Sequence, residues 1–375
     1  MRIVIVQAYW DFKEVAYELP QALAREGHEP YLLGWSGSRK VSRTEYCEGG
    51  FKLLMLPGLN LSPFGRQLKY PLLVGLEASV QDIMPSVIDC QSHLFPTAPE
   101  SLCIAKKNEL PLVITINGIM AKRDIMLNMI QESYLHTVAR SLLRQASAVR
   151  CLNSSDAAEA IRYGCPPQKI TVIPNFVNTD LFSPEVKVGR KATIAWSGRF
   201  VAEKDVQTLV RAAKIVLRKR PDAEFVLMGD GPLKPKVEAL VEQLGIRNRF
   251  TFTGSIGRRS VAAILKRSAT FVLPSLKEGM PLSLLEAMSC GKAVVGSNIP
   301  GITELVRNHE TGLLVPARDV NAFANAIINI LDDEGLRERL GSMASKLIRQ
   351  KYSHKIVVRD LIKLYSAVSE TCNAG

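Results

Sequence analysis

The sequence predicts an α/β protein with two doubly wound parallel sheets. Short apolar runs rich in β-branched residues alternate with segments of helical periodicity in both halves of the chain. At 375 residues the chain is long enough for two to three domains, each with its own core. Ligands of doubly wound sheets bind at the carboxyl ends of the strands, so the loops that follow strands are the first places to look for a site.

The first half opens with a strand, a helix that Gly27 ends and a second strand, and this β-α-β order is typical of a parallel sheet. Predicted strands of this half cover residues 3–6, 31–33, 51–56, 86–91 and 112–118, the last of them feeding a loop at its carboxyl end. Residues 34–75 are otherwise predicted to be irregular. A helical pattern extends from Asp124 to Arg150, and an amphipathic packing helix is favoured there over a membrane-contact helix.

The second half repeats the same alternation. A strand, a loop and the start of a helix are predicted over residues 192–205, a strand with its turn over 224–232, a strand end over 250–256 and a strand over 269–273. A helix is predicted from Leu282, because Leu285 and Met288 follow at helical spacing, and Gly291 is its predicted end. The final helix is predicted over the last twenty or so residues.

Composition excludes several classes of protein. Seven scattered cysteines without a C-x-x-C pair indicate reduced thiols and argue against a disulfide framework or a zinc site. No apolar run approaches the ~20 residues that a membrane span requires. The amino terminus is interpreted as a first strand rather than a signal segment. The prediction is a cytoplasmic protein, with peripheral contact at the inner face of the membrane left open.

The net charge of +12 is concentrated in the second half of the chain. Residues 1–188 carry 19 Lys and Arg against 18 Asp and Glu, so residues 189–375 supply nearly all of the excess. Such a half suits an anionic ligand such as a nucleotide-diphosphate sugar, and it also suits an anionic membrane surface. Nucleic acid is disfavoured as a partner, because aromatic residues make up only 6% of the chain and no binding motif accompanies the charge.

The most informative stretch joins the strand over residues 269–273 to the helix that begins near Leu282. Glu278 lies in the loop, and Glu286 lies about one turn into the helix. Free backbone N–H groups at a helix start suit a phosphate, whereas carboxylates accept from vicinal sugar hydroxyls. The pair therefore fits a ligand with a sugar at each end and phosphates between. The alternative is an ordinary strand–helix connection with two solvated glutamates.

This stretch resembles the E-x7-E signature of the retaining glycosyltransferases of family 4. The two glutamates stand in Pro-Ser-x-x-Glu-Gly-x-Pro and Glu-Ala-Met-Ser-Cys-Gly-Lys-Ala-Val-Val-Gly-Ser. The resemblance runs from about residue 145 to the end and is weaker before that. It implies the GT-B fold, with two Rossmann-like domains facing across a cleft. The acceptor-side domain would cover residues 1–186, completed by a helix over about 356–375, and the nucleotide-sugar domain would cover 187–355.

The same resemblance assigns the donor site. Arg199 and Lys204 would grip the diphosphate, Glu278 would hold the transferred sugar and Glu286 the ribose, with Arg199, Lys204 and Glu278 as the catalytic group. The full donor-binding set is Gly198, Arg199, Lys204, Gly229, Gly231, Ser255, Ile256, Glu278, Gly279, Met280, Pro281, Leu282, Ser283 and Glu286. No Asp-x-Asp pair follows a strand, so neither a metal nor a cofactor besides the nucleotide sugar is expected.

The acceptor side departs from the family. Where relatives carry histidines, this chain has Asp89, Gln91 and Asn117, and whether His93 or Asn117 takes over the histidine's role is left open. An amide can bond a sugar hydroxyl but does not titrate near neutrality as imidazole does. The loop over residues 7–14 lacks the glycine pair that the family usually has there.

These features together predict an enzyme that moves a sugar from a nucleotide-diphosphate sugar to a glycan, lipid-linked or small-molecule acceptor, with retention and without a metal. Surface polysaccharide or glycoconjugate biosynthesis is the expected setting. Two alternatives stay open: another GT-B sugar-nucleotide enzyme, such as an epimerase or phosphorylase, and a non-catalytic partner subunit. The four charged donor residues argue against the partner subunit, and the altered acceptor side argues mildly for it.

Overall fold

The computed structural model describes residues 1–7, 13–38, 44–60, 71–118, 125–185 and 192–373. Most of the loop after the first strand, whose missing glycine pair was noted above, lies outside the described residues. The chain divides into two compact units. The first unit comprises Met1–Pro174 with Val357–Gly375, and the second comprises Asn175–Ile356. The boundary predicted at residues 186/187 falls within the second unit.

The first unit is built on a sheet that has eight strands over the described residues. The strands of this unit are β1 (Arg2–Val6), β2 (Glu29–Trp35), β3 (Thr44–Glu48), β4 (Phe51–Leu56), β5 (Gly58–Asn60), β6 (Pro71–Leu73), β7 (Val87–Cys90), β8 (Leu112–Ile116), β9 (Ala148–Cys151) and β10 (Ile170–Val172). The order in the sheet is β10-β9-β8-β7-β1-β2-β4-β3, and only β3 runs antiparallel to its neighbour. Every residue of β7, β8 and β9 is buried, as expected for strands covered on both faces.

Helices connect these strands. They are α1 (Lys13–Arg25), α2 (Leu76–Ile83), α3 (Thr97–Lys107), α4 (Ile125–Tyr134), α5 (Arg140–Gln145) and α6 (Ser154–Arg162), with a π-helical turn over Leu135–Ala139 between α4 and α5. Asn153 is the N-cap residue of α6, and its side chain accepts from the Asp156 N–H.

Two expectations for this unit are wrong. Residues 34–75 are predicted to contain one strand and otherwise to be irregular, but β3, β5 and β6 also form there. The helical pattern predicted to reach Arg150 stops at Gln145, and residues 148–151 form β9. Periodicity alone does not separate a short buried strand from the end of a buried helix. Pairing of β9 with β8 and β10 decides the outcome.

The second unit has six parallel strands within its described part. They are β11 (Thr193–Ser197), β12 (Glu224–Met228), β13 (Phe250–Gly254), β14 (Thr270–Leu273), β15 (Ala293–Ser297) and β16 (Leu313–Val315). The helices are α7 (Val206–Lys219), α8 (Lys234–Gln243), α9 (Arg258–Arg267), α10 (Leu282–Ser289), α11 (Val320–Asp332) and α12 (Glu334–Lys351). The strand order β13-β12-β11-β14-β15-β16 reverses direction at β11, the topological switch point where ligands bind in such sheets.

The last helix, α13 (His354–Asn373), is anchored on β7 by buried polar contacts. The Tyr365 hydroxyl donates to Asp89 Oδ2 at 2.5 Å, and the Ser369 hydroxyl donates to the Ser86 carbonyl at 3.1 Å. Both Tyr365 and Asp89 are fully buried. Among the described residues, no helix combines the length and the apolar character needed to cross a bilayer.

Candidate active site

The predicted donor residues lie at the carboxyl ends of four adjacent strands of the second unit. Gly198 and Arg199 follow β11, and Gly229 and Gly231 follow β12. Ser255 and Ile256 follow β13, and the segment from Glu278 to Ser283 follows β14. Parallel strands end at the same edge of a sheet, so these separate loops gather around the switch point between β11 and β14.

Lys204 and Glu278 form the central contact of the site. Lys204 ends a 3₁₀ turn before α7, and its Nζ lies 2.6 Å from Glu278 Oε1. The side chains are 20% and 8% exposed, respectively. The loops that carry them follow the neighbouring strands β11 and β14. A cation is thus held beside a carboxylate at the switch point of the sheet.

Asp205, the residue after Lys204, adopts a left-handed conformation with φ of 40°. A Cβ makes this region of backbone conformation costly. The Asp205 carboxylate accepts from the Thr208 hydroxyl at 2.7 Å, a local bond that offsets part of this cost. The strained residue thus directly follows the turn that carries Lys204.

Glu286 has a cationic partner of its own, which the sequence reasoning missed. Arg258 Nη1 donates to Glu286 Oε1 at 2.5 Å, and the side chains are 13% and 4% exposed. Burial raises the pKa of the Glu286 carboxyl, and the charge and hydrogen bond of Arg258 oppose that rise. The available signal was Gly257-Arg258-Arg259 at the start of α9, although nothing in it separates the paired arginine from its exposed neighbour.

The loop between β14 and α10, which carries Glu278, is held by three contacts. The Asn175 side-chain amide donates to the Met280 carbonyl at 3.2 Å, and the Leu276 N–H donates to the Glu203 carbonyl at 2.8 Å. Gly301, with φ of 82°, lies so close that an added Cβ would be 2.4 Å from the Glu278 and Gly279 carbonyl oxygens. These contacts hold Glu278 in place without any ligand.

Glycines allow the loops after β11 and β12 to approach each other. A Cβ on Gly229 would lie 2.0 Å from the Gly198 carbonyl oxygen, and one on Gly231 would lie 2.7 Å from the Phe200 nitrogen. Any side chain at these positions would therefore push the loop that carries Arg199 away from β12. Arg199 itself is half-buried.

α10 begins where the phosphate site was predicted. Pro281 is its N-cap residue, and the Pro281 carbonyl accepts from the N–H groups of Leu284 and Leu285 at 3.1 and 3.3 Å. The first helical residues, Leu282 and Ser283, are half-buried, and no partner for their N–H groups occurs among the described residues. Leu282 and Ser283 thus retain the donors that a helix start offers to an anion.

The predicted acceptor-side residues lie in the first unit in different environments. Asp89 is fully buried and accepts from Thr115 at 3.0 Å and Gln91 at 2.7 Å, in addition to Tyr365. Gln91 is half-buried, and Asn117 is exposed and donates to the Gln91 carbonyl at 2.9 Å. His93 is buried. The structure therefore joins Asp89, Gln91 and Asn117 through hydrogen bonds at the carboxyl ends of β7 and β8.

Two family matches together cover most of the chain. Residues 13–181 match the family described as Glycosyltransferase Family 4, and residues 178–347 match the family described as Glycosyl transferases group 1. The chain is a family 4 glycosyltransferase. The predicted family is confirmed, and the E-x7-E pair lies inside the second matched region.

The names of curated relatives of this glycosyltransferase state different activities. The chain is 27% identical over 274 residues to alpha-D-kanosaminyltransferase from Streptomyces kanamyceticus, a match that covers 69% of this chain and 71% of that protein. It is 32% identical over 213 residues to UDP-Gal:alpha-D-GlcNAc-diphosphoundecaprenol alpha-1,3-galactosyltransferase from Escherichia coli. The second match covers 53% of this chain and 54% of that protein.

Solved structures confirm the fold of the glycosyltransferase. Sucrose-phosphate synthase from Thermosynechococcus elongatus matches with a TM-score of 0.82 at 21% identity, covering 99% of both chains. HepE from Anabaena, solved in complex with UDP-glucose, matches with a TM-score of 0.78 at 17% identity, covering 98% of this chain and 100% of that chain. At such identities the likeness shows the fold alone, which is GT-B as predicted.

Proposed function

We propose that this protein transfers a sugar from a nucleotide-diphosphate sugar to a glycan, lipid-linked or small-molecule acceptor, with retention at the anomeric carbon and without a metal. The observation that carries the proposal is the Lys204–Glu278 pair. It joins, at the switch point of the sheet, the cation and the carboxylate that the family resemblance assigns to the diphosphate and the transferred sugar.

Each residue has a chemical task in this reaction. Lys204 and Arg199 neutralise the charge that develops on the leaving diphosphate, and preorganised cations in a partly buried site do so without reorganisation during the reaction. Glu278 accepts from hydroxyls of the transferred sugar, and Glu286 accepts from the ribose. The acceptor attacks on the face from which the diphosphate leaves, and a phosphate oxygen takes the acceptor's proton. No side chain is assigned as a covalent nucleophile.

Relatives support the class of donor and acceptor. The Escherichia coli relative is named for UDP-galactose and for an acceptor on a diphosphoundecaprenol lipid. The kanosaminyltransferase is named for the sugar that it transfers. These names favour UDP as the first nucleotide to test, with surface polysaccharide or glycoconjugate biosynthesis as the setting and the inner face of the membrane as the place of peripheral contact.

A thermal-shift panel followed by turnover tests the proposal. Purified protein is first screened with UDP, GDP and ADP and then with their sugars, since a bound ligand raises the melting temperature by mass action. The active donor is next incubated with candidate acceptors, and NMR of the product gives its anomeric configuration. We expect one nucleotide series to stabilise the protein and the product to retain the donor's configuration. An inverted product, an epimerised donor, phosphorolysis or binding without turnover would each contradict the proposal.

A further inference from the structure

Arg258 contacts a carboxylate and an aromatic ring within the second unit. It is the first residue of α9, its Nη1 donates to Glu286 Oε1 at 2.5 Å, and its Cζ lies 4.8 Å from the centre of the Phe182 ring. Phe182 is fully buried, and its carbonyl accepts a short hydrogen bond from the Ser289 hydroxyl. Ser289 lies about one turn after Glu286 on α10. The same helix therefore carries the carboxylate that Arg258 binds and the hydroxyl that binds the Phe182 backbone.

The contacts with Glu286 and Phe182 fix the orientation of the Arg258 guanidinium and its distance from the carboxylate. A planar guanidinium packs its face on an aromatic ring while its edge donates to a carboxylate, and a lysine ammonium cannot make the two contacts with the same geometry. Arg258 is 13% exposed, whereas Arg259, the next residue, is exposed. The chain thus carries two adjacent arginines of which one is directed at Glu286.

Glu286 needs such a partner to act as an acceptor. Its side chain is 4% exposed, and burial disfavours the ionised carboxylate. A protonated carboxyl would turn one oxygen into a donor and lose affinity for hydroxyl protons. A charged hydrogen bond to one oxygen keeps the group ionised and leaves the other oxygen to accept from a ligand.

We propose that Arg258 is a positioning residue that keeps Glu286 charged and oriented, and thereby sets the preference of the site for ribose over deoxyribose in the donor nucleotide. The inference rests on the proposed function, because it takes the ribose hydroxyls as the ligand of Glu286. Arg258 acts through Glu286 and contacts neither the sugar nor the phosphates.

Calorimetry with UDP, GDP and ADP and with their 2′-deoxy and 3′-deoxy forms tests the inference. The proteins compared are wild type, Arg258→Gln, Arg258→Lys, Arg259→Gln as the exposed control, Glu286→Gln, and the double variant Arg258→Gln with Glu286→Gln. Circular dichroism and melting temperature show which variants fold. The ratio of ribose to deoxyribose affinity is the deciding readout, since a merely structural role of Arg258 would weaken both forms alike.

We expect the wild type to prefer the ribose form by about tenfold or more, as one charge-assisted hydrogen bond implies. Arg259→Gln should keep that ratio. Arg258→Gln should reduce it to about threefold or less, Arg258→Lys should give an intermediate ratio, and the double variant should match Glu286→Gln alone. If Arg258→Gln does not fold, Arg258→Lys decides by the same ratio.

Three results would overturn the inference while leaving the proposed function intact. They are a wild type that binds ribose and deoxyribose forms equally, an Arg258 variant that keeps the wild-type ratio, and a double variant that loses more discrimination than Glu286→Gln. A wild type that binds none of the three nucleotides would instead contradict the proposed function and the inference together.

Discussion

Each of the two glutamates of the site forms an ion pair with a different cationic side chain. Lys204 and Arg258 each neutralise one of two glutamates, Glu278 and Glu286, that are less than a tenth exposed. A buried carboxylate without a partner is costly, so each ion pair offsets the cost of burying its carboxylate. The two carboxylates are therefore paired and positioned by the protein itself.

Lys204→Ala tests the cation. We expect kcat/KM to fall by about thirty- to a thousandfold, because one charge-assisted contact to the diphosphate contributes roughly 2–4 kcal/mol to the transition state. Lys219→Ala is the matched control, since Lys219 is exposed in the last turn of α7. Steady-state kinetics on folded variants measures the effect. Unchanged kcat/KM in Lys204→Ala would remove Lys204 from the diphosphate site.

Glutamine at each glutamate tests how the donor is divided between them. Glutamine keeps the shape and one acceptor oxygen, so it removes charge rather than volume. Glu286→Gln should weaken binding of the bare nucleotide diphosphate and of the intact donor. Glu278→Gln should spare the bare nucleotide and selectively impair binding and turnover of the sugar. Calorimetry with both ligands separates the patterns, and equal losses in both variants would show that the two glutamates do not divide the donor in this way.

At the scale of elements, the loop between β14 and α10 is shaped by its neighbours. The Asn175 side-chain amide donates to the Met280 carbonyl of this loop, and the backbone of Gly301 lies against the Glu278 and Gly279 carbonyls. The position of Glu278 therefore depends on a turn that follows β15 as well as on its own sequence.

Gly301→Ala tests this dependence. The added Cβ would clash with two carbonyl oxygens at 2.4 Å, so the loop must move and donor turnover should fall by about tenfold or more. Gly245→Ala is the control, because Gly245 has a similar positive φ of 68° with nothing within 4 Å of the added atom. Both variants carry a left-handed alanine, at about 1 kcal/mol or more each. Equal kinetics in the two variants would show that the contact does not position Glu278.

For the whole molecule, a buried hydrogen bond ties α13 to the sheet of the first unit. Tyr365→Phe removes the hydroxyl that donates to Asp89, whose carboxyl group also accepts from Thr115 and Gln91. We expect the free energy of unfolding to fall by about 1–3 kcal/mol, which is a few degrees in melting temperature for a unit of this size. Tyr352→Phe is the control, since its hydroxyl makes a longer, exposed contact of 3.5 Å with the Glu304 carbonyl. Equal melting temperatures would show that the Tyr365 bond adds no stability.

The whole enzyme is also expected to work without a divalent metal. In the proposed mechanism Lys204 and Arg199 take the place of a metal at the leaving group, and no Asp-x-Asp pair follows a strand in the sequence. Excess EDTA should therefore leave turnover within about twofold. Complete loss of activity that a divalent cation restores would disprove metal independence while leaving the GT-B fold unaffected.

The sequence by itself determined the α/β class, the strands that precede the site and the spacing of Glu278 and Glu286. These properties are local: a buried strand, a loop and a helix start are encoded within about twenty consecutive residues, and the family resemblance rests on the same stretch. The ends of elements were less certain, as β9 shows, because a short apolar run fits a helix or a strand until its neighbours are known.

Only the tertiary structure decided which residues become partners. Arg258 meets Glu286 because α9 packs against α10, although two adjacent arginines look alike in the sequence. Asp89 accepts a buried hydrogen bond from Tyr365, which lies 276 residues away along the chain. The return of α13 to the first unit brings Tyr365 to Asp89, and burial then makes the contact strong, because an unpaired polar group in the interior is costly.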